Sequence, residues 1–117
     1  MSGTSWAVLV GLVALLAFKF YFSRPSADQL TMMQEAVADG GLLLDVRTPG
    51  EFSGNHLDGA VNIPVADLER RLPELGEKDR PVVVYCESGG RSRAAARMLL
   101  DRGFETVHDL GSWRNWK

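Results

Sequence analysis

The sequence predicts an α/β domain built on a central, mostly parallel sheet flanked by helices. Three observations carry this expectation. Segments with apolar residues at helical spacing alternate with short continuous apolar runs. The run Val82-Val83-Val84-Tyr85 is apolar on both faces, as a strand inside a parallel sheet has to be. Glycine and proline punctuate the segments, at Gly40-Gly41, Pro64, Pro81 and Gly103.

Size and charge narrow the class. The 117 residues are 45% hydrophobic and 24% charged, with a formal net charge of -2. No basic stripe dominates, so no nucleic-acid partner is expected. A single cysteine, Cys86, excludes an internal disulfide and fits a reducing compartment. No cofactor or metal site is expected.

The elements follow in order. From Trp6 to Phe18 no residue is charged or strongly polar, and Phe20-Tyr21-Phe22 follow Lys19. As one helix, residues 5–22 reach roughly 27 Å at about 1.5 Å each, close to the roughly 30 Å of a bilayer's hydrocarbon layer. Trp6 and Tyr21 suit the two interfaces, and Lys19 can snorkel. The segment before Trp6 has no Lys or Arg, unlike a signal peptide. Residues 5–22 are therefore expected to be a membrane anchor, after a tail over 1–4 and before a linker over 23–26. Lys19 and Arg24 lie at its far end, which places a single-pass protein's domain, residues 27–117, in the cytoplasm.

Ser26 reads as a helix N-cap, with Gln29 completing a capping box, and Leu30, Met33 and Val37 recur at helical spacing up to Gly40-Gly41. Leu42 to Val46 reads as a buried strand. Thr48-Pro49-Gly50-Glu51 is a second capping box, with proline where its missing N–H does no harm. Val61 to Ile63 suggests a short strand closed by Pro64. Leu68, Leu72 and Leu75 suggest a modest helix interrupted by Pro73. After the Val82–Tyr85 strand, a helix from about Arg91 to Arg102 is expected to bury Ala94, Ala95, Met98 and Leu99. Arg93, Arg97 and Asp101 form its solvated face, with Arg97 and Asp101 spaced to pair. Thr106 to Leu110 completes the strands.

This order puts Cys86 at the carboxyl end of the innermost strand, on the loop Cys86-Glu87-Ser88-Gly89-Gly90-Arg91 that feeds a helix. That edge of an open parallel sheet is where ligands bind. Gly89 and Gly90 permit a nest of N–H groups for an anion, and the helix dipole and Arg91 add positive potential. All of these favour the thiolate, the reactive form of cysteine. Glu87 opposes them. The bland alternative is a cysteine used as a small buried hydrophobe, which needs no anion nest.

Three segments resemble the rhodanese-like domains. Asp45-Val46-Arg47 with Glu51-Phe52 and Gly54-Asn55-His56-Leu57-Asp58-Gly59-Ala60-Val61-Asn62-Ile63-Pro64 is similar to the family's opening signature, with Leu57 for the usual Ile. The loop CESGGRS is similar to its cysteine loop. Gly103-Phe104 through Leu110-Gly111-Ser112-Trp113 is similar to its ending, with Ser112 in place of a second glycine, so a shortened C-terminal helix is expected.

The resemblance implies a three-layer fold and sulfur transfer. Cys86 would take sulfur from a small anionic donor such as thiosulfate and pass it, as a persulfide, to cyanide, a thiol or a protein acceptor. The amides of Glu87, Ser88, Gly89, Gly90 and Arg91 would stabilise the anion, and Arg91 would hold the donor. Asp45 and Arg47 are expected to tie loops together, and His56 to pack a turn as a satisfied buried polar group.

Three alternatives differ in class. A cysteine-dependent phosphatase needs five residues between Cys and Arg, and here there are four. A non-catalytic, membrane-tethered binding module would use the nest without turnover. A dithiol oxidoreductase lacks its second cysteine.

Overall fold

The computed structural model describes residues 24–117. The expected tail and membrane span, with Ser23, lie outside these residues. Among the described residues no helix is long and apolar enough to cross a membrane.

The first helix, α1 (Ala27–Ala38), starts as its cap dictates: the Gln29 N–H donates to Ser26 Oγ at 3.1 Å, and the Ser26 N–H donates to Gln29 Oε1 at 2.8 Å. Strand β1 (Leu42–Asp45) follows. The second capping box starts α2 (Pro49–Gly54). Strand β2 is only Val61–Asn62. Ile63 falls outside it, but its N–H still donates to the Asp45 carbonyl at 3.0 Å. The modest helix is divided into α3 (Val65–Leu68) and a 3₁₀ turn at Leu72–Leu75 around Pro73. Strand β3 (Val82–Cys86), helix α4 (Gly90–Asp101), strand β4 (Val107–Ser112) and a 3₁₀ turn at Trp113–Trp116 complete the domain.

The four strands form one sheet in the order β2-β1-β3-β4, every neighbouring pair parallel. Two-residue periodicity sorts the side chains of β1 and β3 between two cores. Leu42, Leu44, Val82, Val84 and Cys86 pack with Ala95 and Leu99 on one face. Leu43, Val83 and Tyr85 pack with Met33 and Leu110 on the other. Helices thus cover both faces of a parallel α/β sheet.

The structure corrects several expectations. Helix α4 buries Ser92, Ala95, Ala96 and Leu99, while Ala94 is exposed and Met98 half-buried. The buried set keeps helical spacing from Ser92, a polar residue whose hydroxyl donates to the Gly89 carbonyl at 3.1 Å. Arg97 and Asp101 are exposed, and neither is ion-paired to the other. His56 is exposed rather than buried. It stacks on Phe52 with centroids 3.8 Å apart, and its Nδ1 lies 2.8 Å from the Phe52 carbonyl. The last strand runs past Leu110 because of a bulge: Val84 pairs with Asp109 and Tyr85 with Gly111, leaving Leu110 as the extra residue. It is fully buried in the second core, and Asn115 Nδ2 donates to its carbonyl at 3.0 Å.

Candidate active site

The site is built where β3 runs out. Cys86 is the last strand residue, 1% exposed, and its neighbours along the strand are apolar. Its sulfur therefore lies at the top of the first core, under the loop that follows. Ser88 and Gly90 are exposed and Gly89 is half-buried, so the loop forms the sulfur's outer wall.

Gly89 turns that loop. Its φ of +115° is a conformation that side-chain-bearing residues avoid, and it caps α4. The turn aims the Gly89 N–H at Cys86 Sγ, 2.9 Å away. The first bond within α4 is donated by the Arg93 N–H to the Gly89 carbonyl at 3.1 Å. The N–H groups of Gly90, Arg91 and Ser92 thus precede the helical ladder and have no partner in it. Gly90 has no positive φ, so only one of the two glycines is required by the backbone.

Neither charged side chain of the loop is free. Glu87 is met by Arg114 Nη2 at 2.9 Å, Trp113 Nε1 at 2.9 Å and Arg47 Nη1 at 3.2 Å. Partial burial works to raise its carboxyl, but the Arg114 guanidinium and the Trp113 indole N–H outweigh it and hold the group below the usual carboxylate range. The Glu87 carboxylate is thus itself held by two guanidinium groups, those of Arg47 and Arg114.

Arg91 donates from Nη1 and Nη2 to the two oxygens of Glu51, at 2.6 and 3.0 Å. This bidentate pair, with help from the Thr48 backbone and hydroxyl, lowers the Glu51 carboxyl from 4.5 to about 2. The same bond to Glu51 is the main reason the Arg91 guanidinium is raised. Two of the five N–H donors of Arg91 are engaged, leaving three for an anion.

Arg47 is the buried centre of the scaffold. It is 3% exposed and binds Asp45 through Nε and Nη2, with the shortest contact 2.7 Å. Its Nη2 also donates to the Asn55 carbonyl at 2.6 Å, and its guanidinium lies 5.6 Å from the Tyr85 ring centroid and 5.7 Å from that of Trp113. Burial pushes the Tyr85 hydroxyl up, and that hydroxyl accepts from the Leu57 N–H at 3.2 Å.

The structure thus brings Cys86 and the Glu87–Arg91 loop to one point and uses Glu87 and Arg91 as braces. Sequence reasoning missed three partners, Glu51, Trp113 and Arg114. Glu51 reads locally as a capping residue, and it is one: its Oε1 accepts from the Thr48 N–H at 3.1 Å as well as from Arg91. No local pattern signals the second role, which depends on contact across 40 residues.

Comparison with known proteins gives a family for the chain. The family model for the rhodanese-like domain matches residues 26–117. The chain is 41% identical over 75 residues to an uncharacterised protein, YqhL, of Bacillus subtilis, a match spanning 63% of this chain and 59% of that one. It is 36% identical over 105 residues to thiosulfate sulfurtransferase 16, chloroplastic, of Arabidopsis thaliana, covering 79% of this chain and 87% of the relative. A solved structure of a rhodanese with anions from E. coli matches with a TM-score of 0.62 and 30% identity, over 65% of this chain and 91% of that one.

Proposed function

Because this chain belongs to the rhodanese-like family and is a rhodanese-type sulfurtransferase, we propose that it carries a sulfane sulfur from a donor such as thiosulfate to a thiophilic acceptor through a persulfide on Cys86. The observation that carries this reading is the Gly89 N–H held 2.9 Å from Cys86 Sγ, at the start of a helix with further unladdered N–H groups. A charged sulfur at that point gains charge-assisted hydrogen bonds.

In the first step the Cys86 thiolate attacks the outer sulfur of thiosulfate. A sulfur–sulfur bond forms, the donor's own sulfur–sulfur bond breaks, and the electron pair leaves with sulfite. The negative charge now rests on the persulfide's outer sulfur, where the amides of Glu87 through Arg91 stabilise it as an oxyanion hole stabilises oxygen. The remaining N–H donors of Arg91 orient the donor's anionic end. In the second step an acceptor, cyanide or a thiolate, attacks the outer sulfur and restores the Cys86 thiolate.

Thiocyanate formation from thiosulfate and cyanide tests the reading. Cys86→Ser is expected to abolish it, and undiminished turnover in that variant would contradict the assignment.

The proposal extends to location. The length and flanks of residues 5–22 support a single-pass anchor, with Lys19 and Arg24 on the cytoplasmic side along with the domain. Extraction of membranes at alkaline pH is the check: the full chain is expected to stay with the lipid, and release into the supernatant would refute the anchor.

A further inference from the structure

The arginines of the domain divide into two sets. Arg47, Arg70, Arg71, Arg91, Arg102 and Arg114 each hold a carboxylate, and Arg80 donates to the Gly40 carbonyl. Arg24, Arg93 and Arg97 have no ion-pair partner among the described residues, and all three are exposed. These three are not scattered. Arg93 and Arg97 line a groove of about 420 Å³ along α4 that begins at Gly90, in the wall over Cys86. Arg93 also lines a second groove, of about 550 Å³, with Arg24, His108 and Met32. The carboxylates in this surface are few. Asp109 already accepts from the Gly111 N–H at 2.9 Å, and Asp101 lies at the far end of the first groove near Arg102.

We propose that this unpaired guanidinium strip, running from Arg24 past Arg93, beside Gly90, to Arg97, docks an acidic polypeptide whose own thiol accepts the sulfur. The inference rests on the sulfur-transfer reading above and adds the identity class of the acceptor. Charge complementarity carries it. In a chain with net charge -2 most guanidinium groups are neutralised within the fold, and two of the three unneutralised ones, Arg93 and Arg97, share a groove with Gly90 of the reactive loop. Such a strip raises the local concentration of an anionic partner and speeds its encounter. A thiol of only a few atoms does not reach along the strip: Gly90 to Arg97 covers about 10 Å of helix at about 1.5 Å per residue. An extended peptide spans that in about three residues, so the recognised carboxylates sit a few residues from the acceptor thiol.

The test loads Cys86 with thiosulfate and then follows sulfur transfer to two synthetic peptides, one cysteine flanked by glutamates and one by glutamines. The acidic peptide is expected to react about tenfold faster at low salt. That preference should fade as salt is raised. The double variant R93E/R97E should lose or reverse it while cyanide transfer stays unchanged. Arg93→Gln, a milder change, should reduce it in part and guards against misfolding of the double variant. Equal rates for both peptides in the wild type, with cyanide transfer intact, would overturn the docking proposal alone. Absence of cyanide transfer in the wild type would instead overturn the sulfur-transfer reading. If R93E/R97E weakens binding to phosphatidylserine vesicles but leaves the peptide preference intact, the strip meets lipid and the proposal fails.

Discussion

At the scale of single residues, the sulfur and its neighbours decide the chemistry. The place of Cys86 in the fold was legible, because the apolar run before it and the glycines after it are local signals. The fate of Glu87 was not: a carboxylate next to the cysteine looks unfavourable until Arg47 and Arg114 are seen around it. Glu51 offers a pH test with a definite sign. Its carboxyl is lowered from 4.5 to about 2, so the folded state prefers the ionised form. The stabilisation from the Arg91 pair is therefore fully present above about 4.5 and is lost as pH falls toward about 2. Both partners are about a third exposed, so the effect is expected to stay below about 1 kcal/mol. Urea midpoints of wild type and Glu51→Gln should differ by a constant amount at neutral pH and converge in acid. A gap that widens in acid would refute this role.

At the scale of elements, backbone signals were read well and phase less well. Both capping boxes formed as the sequence indicated, whereas α4 is rotated from its expected phase because a polar residue, Ser92, belongs to its buried face. The β4 bulge does carry a local signal, Gly111 at φ +77° inside the strand, but the sequence reading ended the strand at Leu110, one residue before it. Two glycine variants separate conformation from space at the loop. Gly89→Ala places a side chain at φ +115°, which is expected to cost about 1–3 kcal/mol and to cut sulfur transfer by displacing the amide from Sγ. Gly90→Ala meets nothing within 4 Å at an ordinary φ and should leave both stability and turnover near wild type. Equal losses in the two variants, by urea titration and thiocyanate assay, would refute the assignment of the turn to Gly89. Thr48→Ala, which removes a cap from α2, should cost about 1 kcal/mol in the same titration.

At the scale of the whole molecule, one buried guanidinium joins distant pieces. Arg47 connects the end of β1, the carbonyl of Asn55 after α2 and the Glu87 side chain of the cysteine loop. Its resemblance motif marked it as structural, but its reach to Glu87 depends on the three-dimensional meeting of segments 40 residues apart. Arg47→Met leaves the buried Asp45 carboxyl without its partner, and is expected to cost about 3–5 kcal/mol. A loss within about 0.5 kcal/mol, the range of an ordinary surface change, would show that the network does not brace the fold. The central claim is that Cys86 itself carries the sulfur, and intact-mass measurement after exposure to thiosulfate tests it most directly. The wild-type chain is expected to gain the mass of one sulfur atom, mapped to Cys86 and removed by cyanide, while Cys86→Ser gains none. An unmodified wild-type chain that still forms thiocyanate, or a sulfur found on the Cys86→Ser chain, would contradict the account.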